Sequence, residues 1–298
     1  MSETMTNSAI AIFGEVLFDC FPGGERVLGG APFNVAWHLQ AFGRSPLFIS
    51  RIGSDEEGDA ILQSMAQWGM ATGSLQRDER HPTGRVTITL EAGEPSYEIV
   101  ADVAYDFIDA AGVADVQATT LYHGSLGLRN PIAREALNRL KANNPQRIFM
   151  DVNLRDPWWQ RESVLNWVTE ADWVKLNEHE LLQLHSEGDD LLTTATGFRH
   201  QYKLEGLVVT LGEQGVLAVA ADDHSCEIKP ELNLNLVDTV GAGDALTSVL
   251  ILGLELDWPL QLTLERAQSF ASAIVGRRGA VVDDSNFYQN YIDAWQLV

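Results

Sequence analysis

Short apolar runs alternate with longer amphipathic ones along this chain of 298 residues. AIAIF (9–13), LFIS (47–50), TLYH (120–123), RIFMD (147–151), DWVKL (172–176) and LVVTL (207–211) read as buried strands. Helical periodicity lies between them, at roughly 32–43, 56–68, 131–142, 159–170 and 190–203. This alternation predicts βαβ units, an α/β fold with a mostly parallel sheet, and right-handed crossovers. From about 243 onward the pattern is mostly helical, with segments near 260–276 and 286–297. Two stretches, 14–28 and 84–101, carry no helix signal. VTITL (86–90) and SYEIV (96–100) flank the turn AGEP, which predicts a small antiparallel excursion from the α/β body. Such a sheet, drawn from segments at about 14–28 and 84–108 of a single domain, would cover one edge of a cleft as a lid.

Composition narrows the class. With 45% hydrophobic residues the chain can bury a sizeable core. Its 20 basic residues face 42 acidic ones, a net charge of -22. That disfavours a nucleic-acid or anionic-membrane partner, which needs clustered Lys and Arg. It leaves room for a small phosphate-bearing ligand held by backbone N–H groups and a metal. Cys20 and Cys226 are too few for a disulfide scaffold and are expected to be reduced. No basic residue precedes Arg26, and no run approaches the length of a membrane span, so a cytoplasmic protein is expected.

The stretch NLVDTVGAGDALTSVLILGL (235–254) concentrates the chemistry. Gly241 and Gly243 let the backbone turn, and an apolar run then starts a helix whose first N–H groups point back at the turn. Such a turn binds anions by construction and would stabilise charge on a transferring phosphoryl group. Asp244 could accept the proton of an attacking hydroxyl. The competing reading makes Asp244 a helix cap and Asp238 a turn residue. Near the N-terminus, GEVLFDC puts Asp19 at the end of the first strand region, where by itself it reads as an exposed turn carboxylate. GGAPFNVAWHLQAFG offers a Gly29-Gly30 pair for close backbone approach and Asn34 for hydroxyl recognition, with a capping Asn34 as the alternative.

DTVGAGD together with GGAPFNVAWHLQAFG and IGSDEEGD resembles the signatures of the ribokinase-like carbohydrate kinases, the PfkB family. The resemblance spans almost the whole chain and implies a three-layer α/β/α fold, a central mostly parallel sheet with a small β lid. It implies ATP with Mg²⁺, Asp244 as general base, and Gly241, Ala242 and Gly243 as an anion hole. Asp19, Gly29, Gly30 and Asn34 would meet the sugar. DVNLRDPWW is similar to the D-x-N-x-R segment of fructokinases and 2-keto-3-deoxygluconate kinases, so Arg155 would reach substrate or phosphate; an ion pair with a carboxylate is the rival reading. KLNEHE places Asn177 and Glu180 in the family's N-x-x-E motif, with Glu180 serving Mg²⁺ through water and Lys175 on the nucleotide side; a capping pair is the local reading. VVTLGEQGV supplies Thr210, Gly212 and Gly215 near the nucleotide, and alone reads as strand-turn-strand. Asp238 and Thr239, with the loop VGRRGAV (275–281), would hold a monovalent cation such as K⁺.

Other motifs are missing from the sequence: there is no P-loop, no Gly-x-Gly-x-x-Gly after a strand, and no HExxH. Ala31 stands after the Gly-Gly pair where relatives acting on phosphorylated sugars often carry Lys. No Lys or Arg occurs from Val86 to Leu128, which removes part of the usual lid contribution to a sugar acid. A neutral sugar fits best, and fructose converted to fructose 6-phosphate is the expected reaction. The rivals are a 2-keto-3-deoxygluconate kinase, a nucleoside kinase using Tyr97 and Tyr105, and a sugar-binding regulator without turnover. A homodimer formed through the lid is also expected.

Overall fold

The computed structural model describes residues 10–91, 94–230 and 237–297. In chain order the elements are β1 (Ile10–Phe13), β2 (Leu17–Cys20), β3 (Arg26–Gly29), α1 (Ala31–Ala41), β4 (Leu47–Gly53), α2 (Glu56–Gln67), β5 (Leu75–Asp78), β6 (Gly84–Glu91), β7 (Glu94–Ile99), β8 (Thr120–His123), α3 (Pro131–Lys141), β9 (Arg147–Asp151) and α4 (Arg161–Val168). They continue with β10 (Trp173–Asn177), α5 (Glu178–Leu184), α6 (Leu191–Tyr202), β11 (Gly206–Thr210), β12 (Val216–Ala220), β13 (Ser225–Ile228), α7 (Ala242–Glu255), α8 (Leu260–Val275) and α9 (Ser285–Trp295). The fold class is mixed α/β, with a mostly parallel main sheet and a smaller separate one. Within the chain, two compact units separate. The first holds the described residues up to Thr119, with Gly127–Pro145 and the segment from Val281; the second holds Thr120–Leu126 and Gln146–Ala280.

In the first unit β1, β4 and β5 run parallel. The small sheet follows the order β3-β2-β6-β7. Its β6–β7 pair is antiparallel, as the alternation of VTITL and SYEIV predicts, but β2 lies parallel to β6. The sheet is therefore mixed, because β2 and β6 reach it from separate chain segments and no hairpin sets their direction. Part of the AGEP turn lies outside the described residues. The small sheet ends at Ile99, and Ala104–Phe107 is a buried single turn of 3₁₀ helix packed on β4 and α3.

Buried polar contacts fix where these pieces sit. Asp55 caps α2 by accepting from Gly58 N at 2.8 Å, and also accepts from Thr83 N at 2.8 Å and Thr83 Oγ1 at 2.6 Å. One carboxylate thus ties the end of β4, the start of α2 and the entry to β6. Next to it, buried Glu57 accepts from Arg26 of β3 at 3.1 Å and from Arg85 of β6 at 2.6 Å, docking the small sheet on α2. Helix α9 closes on α1 through Trp37 Nε1 to Val282 O at 2.9 Å and His38 Nδ1 to Tyr288 Oη at 2.9 Å.

In the second unit β8, β9, β10 and β11 are parallel, and β12 and β13 continue the sheet antiparallel. Met150, Val174, Leu176, Phe198, Leu207 and Val209 contribute to its core. From Ala245 to Gly253 α7 is buried on all sides, which explains why its run reads apolar without a polar stripe. It packs along α8, and α8 in turn covers β12 and β13.

The hydrogen bonds from Thr83 and Gly58 outweigh burial and hold the Asp55 carboxyl below the usual aspartate range. Its contribution to stability is therefore present above the unfolded aspartate pKa of about 4 and is lost as pH falls through the folded value. Asp55→Ala is expected to cost about 1–3 kcal/mol at pH 7. Urea titrations should show that gap narrowing at pH 3.

Candidate active site

Helix α7 begins at Ala242, earlier than the apolar run alone predicts, and its N-cap is Gly241 with φ 79°. A Cβ at Gly241 would collide with Ala280, so the position demands glycine for both conformation and space. Asp244 is the third residue of the helix, 9% exposed, and the capping position belongs to Gly241. The reading of Asp244 as a helix cap is thereby corrected: the residue lies inside the first turn of the helix. The Ala242 N–H closes the turn on Thr239 O at 3.4 Å.

Asp238 does different work. Its Oδ1 accepts from Val240 N at 3.0 Å and its Oδ2 from Gly279 N at 3.1 Å, while its own N–H donates to Val275 O at 3.1 Å. The carboxylate staples the glycine turn to the loop that follows α8. A monovalent cation at Asp238 and Thr239 would share oxygens already turned toward backbone N–H groups. Among the described residues no group of three or more His, Cys, Asp and Glu assembles to hold a metal ion.

Beneath the turn lies a buried ion pair. Lys175 Nζ, in a residue 6% exposed, donates to Asp151 Oδ1 at 3.1 Å and Oδ2 at 2.9 Å. Lys175 and Asp151 are register partners on β10 and β9, so both side chains leave the sheet on one face. Burial alone would push the Lys175 ammonium down, yet Asp151, then Asp244 and Glu180, hold it above the ordinary lysine value. Sequence reasoning assigned Asp151 no task beyond matching a motif, although a lysine inside the apolar run DWVKL signals a buried partner.

Asn177 and Glu180 form a reciprocal capping box on α5: Asn177 Oδ1 accepts from Glu180 N at 2.9 Å, and Glu180 Oε2 accepts from Asn177 N at 2.9 Å. Glu180 Oε1 accepts from Leu154 N at 2.8 Å. Burial pushes the Glu180 carboxyl up, against the pull of the Asn177 N–H, Lys175 and the Leu154 N–H. Both of its oxygens accept from backbone N–H groups. Arg155 is exposed and donates to Asn153 Oδ1 at 3.0 Å and Leu154 O at 2.9 Å, so a neighbouring amide and carbonyl hold it in place of the carboxylate of the rival reading. Thr210 ends β11 opposite Asn177, and Gly212 and Gly215 shape the turn into β12, as strand-turn-strand predicts.

In the first unit Asp19 sits half-buried on β2, with its Oδ2 3.6 Å from where a Gly29 Cβ would stand. Gly30 is the N-cap of α1 with φ 107°, and a Cβ there would press on Glu15 O. Asn34 lies inside α1, 4% exposed, so the capping alternative for it is also corrected. The glycine pair and Asn34 belong to one strand-to-helix junction, with Asp19 on the neighbouring strand.

Comparison with known proteins adds to this geometry. The sequence model described as pfkB family carbohydrate kinase matches residues 21–286. A putative sugar kinase of Pyrococcus horikoshii is 29% identical over 273 residues, covering 82% of this chain and 82% of that protein. Its crystal structure in complex with ATP has a TM-score of 0.78 and covers 97% of this chain and 100% of that one. A fructokinase of Vibrio alginolyticus is 31% identical over 267 residues, covering 83% of this chain and 85% of that protein. A fructokinase double mutant of Vibrio cholerae, in a form binding fructose, ADP and potassium ion, shares the fold with a TM-score of 0.78 at 24% identity, covering 93% of this chain and 95% of that one. No helix among the described residues is long and apolar enough to cross a membrane.

The left-handed conformation and the contact with Ala280 make Gly241→Ala costly. Urea unfolding should show a loss of about 2–4 kcal/mol, against near-neutral effects for substitutions at exposed Glu213.

Proposed function

The chain belongs to the pfkB family of carbohydrate kinases, and from that premise we propose that it transfers the γ-phosphoryl group of ATP to a primary hydroxyl of a neutral sugar, D-fructose, giving fructose 6-phosphate. The observation that carries this reading is Asp244, buried in the first turn of α7 directly after a glycine turn that Asp238 staples in place. Phosphoryl transfer asks a protein mainly for positioning and for charge stabilisation. The Gly241-Ala242-Gly243 turn offers helix-start N–H groups to the charge that develops on the transferring oxygens. Asp244 accepts the proton of the attacking hydroxyl.

The remaining assignments follow from chemistry at each position. Asp19, Gly29, Gly30 and Asn34 take the sugar hydroxyls, a carboxylate accepting and an amide both donating and accepting. Arg155 takes substrate or phosphate, since it is exposed and is held, among the described residues, by an amide and a carbonyl. Thr210, Gly212 and Gly215 lie with the nucleotide. When bound, Mg²⁺ supplies charge neutralisation at the phosphates; the ion arrives with ATP, keeps most of its water, and meets Glu180 through one of those waters. K⁺ at Asp238 and Thr239 would stiffen the turn. Fructose as the acceptor is supported by the fructokinase of Vibrio alginolyticus at 31% identity and by the lack of Lys and Arg from Val86 to Leu128, while the small-sheet cations Arg26 and Arg85 are both paired with Glu57. Pairing of two chains through their small sheets remains part of the proposal, with exposed Tyr97 on β7 as the apolar contact.

A coupled assay of ADP release with fructose, ATP and Mg²⁺ tests the reading. Wild type should turn over, and Asp244→Asn should lose about 10²–10⁴-fold in kcat with little change in KM. Fructose-dependent thermal stabilisation without ADP release would favour a binding protein instead, and full activity in Asp244→Asn would remove the assigned base.

A further inference from the structure

Three observations converge on the underside of the α7 turn. First, a Cβ built on Gly243 would stand 3.1 Å from Lys175 Nζ, tighter than ordinary contact. Gly243 has no left-handed φ, so its backbone does not call for glycine. Space does: the ammonium occupies the volume a side chain would need. Second, that ammonium is clamped by both oxygens of Asp151 and has little freedom to retreat. Third, Thr247, one helical turn beyond Gly243, bonds Gly243 O at 2.9 Å and reaches Asp151 Oδ2 at 3.3 Å. The ends of β9 and β10 and the first turn of α7 are thus joined by an ammonium, a carboxylate and a hydroxyl.

We propose that Lys175 is a positioning residue for Asp244, braced from below by Asp151 and admitted against the α7 turn by the missing side chain of Gly243. The inference rests on the reading of Asp244 as the base, and replaces the nucleotide contact that family resemblance implies for Lys175. The ammonium lies against Gly243, the residue before Asp244, and Asp151 from β9, Asp244 from α7 and Glu180 from α5 hold it above the ordinary lysine value against burial. A buried base needs such a cation, because burial disfavours the ionised carboxylate that must accept the proton. The second glycine of the GAGD word then has a different reason from the first. Gly241 serves the backbone turn, and Gly243 makes room for a charge.

The test uses the full chain carrying Asp151→Asn together with Lys175→Met, which removes both buried charges at once and strands neither. The acid limb of log kcat against pH, measured with whichever sugar supports turnover, reports the base in the substrate complex. In the double variant this limb should move up, by less than the about 1–3 units an unpaired neighbouring cation is worth, because the nearer ammonium is lost together with the charge of Asp151 behind it. A second readout needs no turnover. Gly243→Ala should lower the Tm of the otherwise unchanged chain by about 2–4 °C and should lose most of that effect in the double variant, where the shorter Met leaves room. A uniform fall in kcat with an unmoved acid limb overturns the proposal, as does an equal cost of Gly243→Ala in both backgrounds. If Asp244→Asn is inactive while the limb stays put, the base reading stands and only this inference fails; if Asp244→Asn is fully active, both fail.

Discussion

A lysine ammonium in the interior must find a carboxylate, and around Lys175 that requirement organises the second unit. Taking the two charges out of water is costly, and the attraction between them repays it only with good geometry and further hydrogen bonds. Asp151 meets those terms: it is fully buried, engages Lys175 through both oxygens, and also accepts from Thr247. A well-packed apolar pair would stabilise the fold as well or better. What the ion pair adds is a defined charge at one place, under the first turn of α7. The parallel register of β9 and β10 sets that place, because it aligns Asp151 with Lys175 across neighbouring strands.

The glycine turn separates two carboxylates that look equivalent in sequence. Asp238 spends both oxygens on backbone N–H groups and holds the turn to the loop after α8. Asp244 lies within the first turn of the helix, where the helix dipole favours negative charge. The first unit follows the same economy of polar contacts. Asp55 ties three segments together, and Glu57 receives an arginine from each of two strands of the small sheet. Buried acids joined to N–H groups or guanidinium groups thus fix the points where loops carry chemistry.

Much of this is legible in the amino-acid sequence. Strands such as Thr120–His123 and Arg147–Asp151 coincide with their apolar runs, since a strand buried on both faces needs an unbroken hydrophobic stretch. Helix starts at Asp55, Asn130 and Asp190 carry side-chain caps that the residue types announce. β5 (LQRD) and β13 (SCEI) escaped because at least half of each strand's residues are polar, and a short polar strand has little periodicity to read. The parallel β2–β6 pairing escaped because strand direction in a sheet of separated segments is set by tertiary packing. The site was legible as motifs, but not the work of individual atoms. Asp151 and Lys175 lie on different strands, and only their register makes them partners. Whether Asn34 and Asp244 cap a helix or lie inside one depended on helix starts that Gly30 and Gly241 set, and helix boundaries are where sequence patterns are weakest.

The proposed reaction is transfer of the ATP γ-phosphoryl group to the C6 hydroxyl of D-fructose. Phosphorus and carbon NMR of a reaction containing the wild-type chain, ATP, Mg²⁺ and carbon-13-labelled fructose tests it most directly. The account predicts a single phosphomonoester whose phosphorus couples to C6 of the sugar, formed in step with ADP. A phosphate on C1, or inorganic phosphate with the sugar unchanged, would contradict it.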